Sequence, residues 1–546
     1  MPELDPMRNF PVAWQDPEDG LRTWFWDSEH FAYPLTPLSI DLAEIWFEKT
    51  AVATGSDLNE RRRVYPHGFG YTLMSPPTAS SASPDPGQVE RNQLSAKRSL
   101  KIRQLWRDKY LPPIRVVCRE IQRLDYASMT LIELASRLQE FAENTGRGFG
   151  LTMVPAGPQF QCNQPLLEFC ENEFGAEGKS MSTVMIQGYA TAASASDTEL
   201  WRLSKQAASE PSLRQTIRVH NSDELVDVLP DVEGGDLFME ALNQHLDCHG
   251  WRPDVWFELS LPTGRDDPEP ALKQIQRYLA GEDDDPRKAV ARSARRRRQM
   301  VRQVRSKLKD HPEKLDKFNS LLDIASQFTP VSEGRAFWQL TLTGSLRVPC
   351  LALGEKMRKG GFLAEADDVF YLRLNEMKLI LGGNGQADWR QQIKERREDR
   401  QRWMDVVPPA FIGAPIDRSA PEDSVRTLKF GVGLETQVEE RLLRGSGAST
   451  GIVQARARVV RNLEEADKVE RGDILVCRTT SPAWTPLFSR VAGVVADSGG
   501  ILSHCAIVAR EFAIPCVVGV REGSERIRDG MLITVDGGQG TVRLED

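Results

Sequence analysis

The sequence predicts a multidomain protein: a mainly α domain followed by a small α/β domain of β/β/α pattern. Three observations carry this. The chain has 546 residues, more than one hydrophobic core normally serves. From about residue 90 to 410, apolar residues recur at three- and four-residue steps, the helical period. Beyond 451 the pattern changes to short β-branched runs bounded by Gly, Asp and Pro. The expected boundaries are 1–414 for the helical part, 415–450 for a hinge, and 451–546 for the α/β part.

In chain order, the first fifty residues are rich in aromatics. Trp24, Trp26, His30 and Phe31 run into a stretch that Pro34 and Pro37 hold extended. Ser39 or Asp41 can then start a helix over 42–47. These aromatics read either as a plug sealing the helical domain or as the wall of a ligand site. Residues 75–88, rich in Pro and Ser, read as an irregular loop. Helical repeats follow: Leu131, Leu134, Leu138 and Phe141, then 200–208, 237–248 and 272–279. The segment 288–328 reads as one or two long charged helices. Its run Arg292, Arg295, Arg296, Arg297 and Arg298 suggests a solvated face paired with acids. Residues 415–450 mix charge with Gly and Ser, as a hinge does. After it, strands are expected at 453–460, 473–477, 493–496, 516–520, 532–535 and 540–544, with a helix over 503–512.

Composition narrows the function. Lys and Arg number 70 against 78 Asp and Glu, a net charge of −8, which argues against a general nucleic-acid binder. No apolar run is long enough to cross a membrane, and the first residues lack the basic start and apolar core of a signal peptide. The 8 cysteines include no C-x-x-C pair. A reduced, cytoplasmic protein without a metal site of its own is expected.

The chemistry concentrates at 497–519. Gly499 and Gly500 end a strand in a tight turn. Ser503 is placed to cap a helix, putting His504 in its first turn. Free N–H groups and the helix dipole favour an anion there. Alanines and Ile507 bury the far side, leaving His504 outward. A neutral imidazole so placed can attack phosphorus and carry the group. No second histidine or carboxylate stands at ligand spacing beside it.

This segment closely resembles the swivelling phosphohistidine domain of the phosphoenolpyruvate-utilising enzymes, which include phosphoenolpyruvate synthase, pyruvate phosphate dikinase and rifampicin phosphotransferase. The family pattern is met at Gly499, Gly500, Ser503, His504, Ala506, Ile507, Ala509, Arg510, Glu511, Ile514, Pro515, Val517 and Gly519. The resemblance implies that His504 carries a phosphoryl group, with Gly499, Gly500, Ser503 and Arg510 supporting it. Residues 353–376 and 30–38 resemble, less strongly, the substrate-binding region of rifampicin phosphotransferase. By the same resemblance Arg335 contacts the phosphoryl site, with Gln339 where a lysine is expected, and Trp24, Trp26, His30 and Phe31 would line the acceptor pocket.

The family draws phosphate from ATP or phosphoenolpyruvate through further domains. Neither a G-x-x-x-x-G-K-[ST] loop nor a barrel pattern is found. A separate ATP-grasp-like subunit holding ATP and Mg²⁺ is therefore expected, as in the two-component phenylphosphate and cresol phosphate synthases. On that resemblance the acceptor is a phenolic hydroxyl; its proton must leave during attack, to the departing imidazole or to one of His30, His67, His220, His245 and His249. The rival readings are transfer to an antibiotic hydroxyl or pyruvate, a non-catalytic phosphocarrier, and an inert histidine.

Overall fold

The computed structural model describes residues 10–28, 30–54, 62–74, 99–156, 163–253, 255–281, 285–382, 388–404, 406–414, 441–480, 482–500 and 503–545. The expected loop at 75–88 lies outside them. The order of architecture matches the expectation: helices first, then a small α/β unit. Among the described residues, no helix is long and apolar enough to cross a membrane.

The helical core forms where helix Pro37–Thr54 lies along helix Leu131–Met153. A capping box, Thr130 with Glu133, starts the second helix. Its Leu134, Leu138, Phe141, Ala142 and Phe149 share one face and are buried. The two helices approach closely because Gly150 has no side chain. A Cβ there would lie 2.5 Å from Ala53 Cβ. Trp46 crosses the gap, its indole N–H donating to Thr145 Oγ1 at 2.6 Å. Phe257 sits at the centre of this core. It stacks on Phe31 at 5.4 Å and 17° and also meets Trp46, Phe47 and Phe149.

The expected charged segment is two helices, Pro286–Lys307 and Pro312–Ser345. Part of its arginine run is structural. Arg297 donates to the Gln187 carbonyl at 2.6 Å and lies 3.7 Å over the Tyr189 ring. This is backbone and ring pairing rather than the acid pairing expected, although Arg287 does bind Asp285.

A four-stranded antiparallel sheet near the N-terminus was not foreseen. It is ordered β2-β3-β1-β4 and uses β1 (Thr23–Trp26), β2 (Arg63–Val64), β3 (Tyr71–Leu73) and β4 (Phe411–Gly413). Trp24 pairs with Leu73 on one side and Ile412 on the other, so the ends of the helical domain are sewn together.

The C-terminal unit is an eight-stranded sheet ordered β5-β12-β11-β7-β8-β9-β10-β6. Its strands are β5 (Leu442–Arg444), β6 (Ser446–Ser449), β7 (Ile452–Val459), β8 (Ile474–Cys477), β9 (Gly493–Ala496), β10 (Cys516–Val518), β11 (Leu532–Asp536) and β12 (Thr541–Leu544). Four of these, β7 through β10, run parallel, and β11, β12, β5 and β6 add antiparallel edges. Apolar residues bury on both faces, as a parallel sheet requires. Strands β5 and β6 fall inside the expected 415–450 connection. They pair with β12 and β10, so that stretch is part of the sheet from Leu442 onward. Residues 415–440 lie outside the described residues.

The two halves touch. Tyr33 donates to the Arg461 carbonyl at 2.6 Å. Arg478 donates to the carbonyls of Ala32 at 3.2 Å and Met404 at 3.4 Å. Lys273 and Asp467 form an ion pair across the same junction.

Candidate active site

Strand β9 ends at Ala496, and the chain turns sharply into helix His504–Phe512. Gly499 has φ +95°, and a Cβ on it would lie 2.8 Å from both Cβ and Oγ of Ser503. Only glycine suits that turn. Ser503 is the N-cap, with Oγ accepting from Ala506 N at 3.4 Å. Gly500 accepts from Ser503 N through its carbonyl at 3.0 Å. Beneath the turn, Asp497 is buried and accepts from Ser524 through both its N–H (2.9 Å) and its hydroxyl. Burial pushes the Asp497 carboxyl up to about 7.

His504 occupies the first position of the helix. Its Nδ1 lies 3.2 Å from Thr480 Oγ1, while its Nε2 is buried with no hydrogen-bond partner among the described residues. The residue keeps some exposed surface, but Nε2 itself is sealed. Burial, and then the positive charge of Arg252 from the helical domain, hold its pKa down at about 3. The ring is therefore neutral. Helix Pro286–Lys307 packs against the His504 helix, so the cover comes from the other half of the molecule.

Arg335 lies inside the helical domain. Its Nη1 donates to the Thr152 carbonyl at 3.3 Å, and Nε is buried without a partner among the described residues. Gln339, standing where a lysine was expected, donates to Met153 Sδ at 3.1 Å. Burial lowers Arg335 to about 10, against the opposing pull of Glu333. Glu333 ties the two halves electrostatically. Burial raises its carboxyl, opposed by the charges of Arg510, Arg335 and Arg252. Arg510 itself donates to the Ala448 carbonyl at 3.1 Å, holding its helix to β6. The cation whose field reaches His504 is thus Arg252 rather than Arg335. Arg335 joins the cluster through Glu333.

The aromatic residues expected at the acceptor pocket are placed differently. Trp24 is fully buried in a core with Phe10, Phe69, Tyr71 and Trp403, and its indole N–H binds the Asp19 carbonyl at 2.9 Å. Phe31 is fully buried against Phe257. Trp26 donates to the Phe31 carbonyl at 2.8 Å and packs edge-on against Phe69. His30 holds Asp27 at 2.9 Å and meets Trp256 edge-on. As a group they seal the domain. Trp24 and Phe31 have no surface left for a ligand. A separate surface hollow of about 530 Å³ is lined by Asp41, Arg373, Glu376 and Arg396 and shares no residue with the His504 cluster.

Sequence reasoning missed Arg252, Glu333 and Thr480. Thr480 stands in the Thr-Thr-Ser-Pro-Ala-Trp stretch that accompanies the histidine motif, which is a usable signal. Arg252 and Glu333 carry no local pattern. Only the packing of distant helices brings them to this face.

Two family models match parts of this chain. Residues 469–540 match the mobile domain of PEP-utilising enzymes. Residues 160–333 match the fourth domain of rifampicin phosphotransferase. The rifampicin phosphotransferase of Streptomyces sviceus is 30% identical over 59% of this chain and 36% of its own length. Chondramide synthase cmdD of Chondromyces crocatus is 29% identical over 100% of this chain, which covers 14% of that protein. Phosphoenolpyruvate synthase of Pyrococcus furiosus is 47% identical over 20% of this chain and 13% of its own length. The chain spans less than half the length of these curated relatives. It thus carries a PEP-utilising mobile domain beside a rifampicin phosphotransferase-type domain.

Proposed function

We propose that the chain is the carrier and acceptor part of an ATP-dependent phosphotransferase. His504 takes a phosphoryl group from an ATP-binding unit outside residues 1–546 and passes it to the hydroxyl of a small molecule. ATP and Mg²⁺ belong to that unit. One observation carries the reading: the neutral His504 ring, with Nε2 buried and without a hydrogen-bond partner among the described residues, sits where the helical domain packs on its helix, within the field of Arg252.

The chemistry follows from the tautomer. With the proton on Nδ1, donated in a hydrogen bond to Thr480 Oγ1, the Nε2 lone pair is free to bond phosphorus. Charging requires the mobile domain to leave the helical face, because Nε2 is sealed when docked. On return, the acceptor oxygen attacks phosphorus, the P–N bond breaks, and the electron pair goes back to Nε2. The hydroxyl proton passes to the departing imidazole or to Glu333. Arg252 and, behind it, Arg335 offset charge on the transferring group.

A phenolic acceptor is the finer form of this reading. Its aromatic support is reduced, because Trp24 and Phe31 are core residues. Likeness to rifampicin phosphotransferases favours a hydroxyl on a larger antibiotic-like molecule as the second form. The test supplies the chain with a candidate ATP-binding unit, ATP labelled at the β-phosphate, and separate acceptors: phenol, cresol, rifampicin and pyruvate. Label moving to one acceptor with wild type and to none with His504→Ala supports the proposal. Phosphorylated acceptor formed by His504→Ala refutes it.

A further inference from the structure

Away from His504, two helices bring three ligand-type side chains together. Helix Gly235–His249 presents His245 and His249 on one face, a single turn apart. Helix Ala192–Ser209, packed against it, presents Glu199. Glu199 Oε2 is 3.2 Å from His245 Nδ1 and 3.3 Å from His249 Nε2, and the three donor atoms lie within 4.8 Å of one another. The side chains of His245 and His249 are 5% and 12% exposed, whereas Glu199 at 37% leaves an opening to solvent.

We propose that Glu199, His245 and His249 form a divalent transition-metal site of the zinc type, with water in an open fourth position. The spacing supports it. Zinc bonds to nitrogen and oxygen of about 2.0–2.1 Å in a tetrahedron set neighbouring ligands roughly 3.3–3.4 Å apart. Both Glu–His separations already match such an edge, and the two histidine nitrogens, within 4.8 Å of each other, would have only to draw together to close on an ion. Two histidines with one carboxylate is also the ligand set of zinc sites that keep a position open. The competing arrangement is a metal-free triad, with one carboxylate oxygen accepting from two imidazoles. Arg252 lies three residues past His249, just beyond the helix end, donates to the His249 carbonyl at 3.2 Å, and rests 5.0 Å over the Phe337 ring. A bound ion would therefore fasten the two helices next to the arginine whose field reaches His504. The nearby charge of Arg252 opposes a cation and lowers the affinity expected of a site with one carboxylate.

The test is direct. The full chain is stripped with a chelator, dialysed free of it, and titrated with Zn²⁺ alone, then in a separate sample with Co²⁺ alone. The expected result is one zinc bound per chain at micromolar concentration and the visible absorption of tetrahedral cobalt. Both signals should fall at least tenfold in Glu199→Gln and in His249→Gln. A control, His220→Gln, alters a half-exposed histidine whose ring pairs with Glu224, and it should leave both unchanged. Circular dichroism checks that each variant is folded. If Glu199→Gln does not fold, His245→Gln takes its place. Failure to bind zinc above the level of the His249→Gln variant, or octahedral cobalt absorption alone, overturns the proposal and assigns the triad to hydrogen bonding. Neither result depends on phosphoryl transfer, so failure here leaves the role of His504 untouched.

Discussion

Acidification tests whether His504 is held neutral by the opposite half of the molecule. Its ordinary pKa of 6.5 is lowered to about 3, first by burial and then by Arg252. At pH 5.5 a free imidazole of that ordinary value is about nine-tenths protonated, whereas the docked ring is protonated well below about 1%. The sign is fixed by this shift. Docking loses stability as pH falls below 6.5, and continues to lose it down to about 3. Between pH 7.5 and 5.5 the loss is roughly tenfold in the docking equilibrium, or about 1.4 kcal/mol. Glu333 works the other way. Its raised carboxyl holds a proton in the docked form from its ordinary 4.5 up to about 7, so acid favours docking through that group. The Glu333→Gln variant removes this opposition and exposes the His504 effect. The assay is a ¹H–¹³C titration of histidine-labelled full chain from pH 7.5 to 5, with His504→Gln to assign the ring. In wild type the His504 signal should stay in its neutral position across the range. In Glu333→Gln, a second, protonated signal should grow as pH falls. A single midpoint near 6.5 in wild type would refute the account of the docked ring.

Further outcomes follow from named contacts. Arg252→Ala should slow transfer to acceptor by about a hundredfold or more while label still loads onto His504, because it removes the positive charge whose field reaches His504; single-turnover chase separates the two steps. Gly499→Ala should abolish loading without unfolding the helical half, since the new Cβ would lie 2.8 Å from Ser503 in a left-handed turn; loading and circular dichroism read both. Phe257→Ala should cost about 3–5 kcal/mol of stability, measured by urea denaturation, because the ring is 1% exposed and packed against Phe31, Trp46, Phe47, Phe149 and Trp256. Trp24→Ala should lower the melting temperature and leave acceptor KM unchanged, because that indole is core.

Much of the C-terminal half was legible in the sequence because its information is local. The turn at Gly499, the cap at Ser503 and the strands at 474–477, 493–496 and 532–536 each need only neighbouring residues. Strands β5 and β6 were hidden because Gly445, Ser446 and Gly447 read as hinge composition. Their pairing with β12 and β10 comes from residues far along the chain. The N-terminal sheet was hidden for the same reason, since β1 finds its partner β4 near residue 411. The aromatic stretch was ambiguous because plug and ligand wall use the same residue types, and only packing separates them. His245 and His249 did carry a readable signal, a helical i, i+4 pair, but their third member, Glu199, comes from another helix. Arg252 and Glu333 had no pattern to read.

The most direct test is the site of phosphate attachment. The chain is incubated with an ATP-binding unit and β-labelled ATP, then digested and mapped under alkaline conditions. Acid-labile, base-stable label on the peptide containing His504, lost on addition of a hydroxyl acceptor, is the predicted result. Label on any other residue, or acceptor phosphorylation proceeding with no label ever found on that peptide, would contradict it.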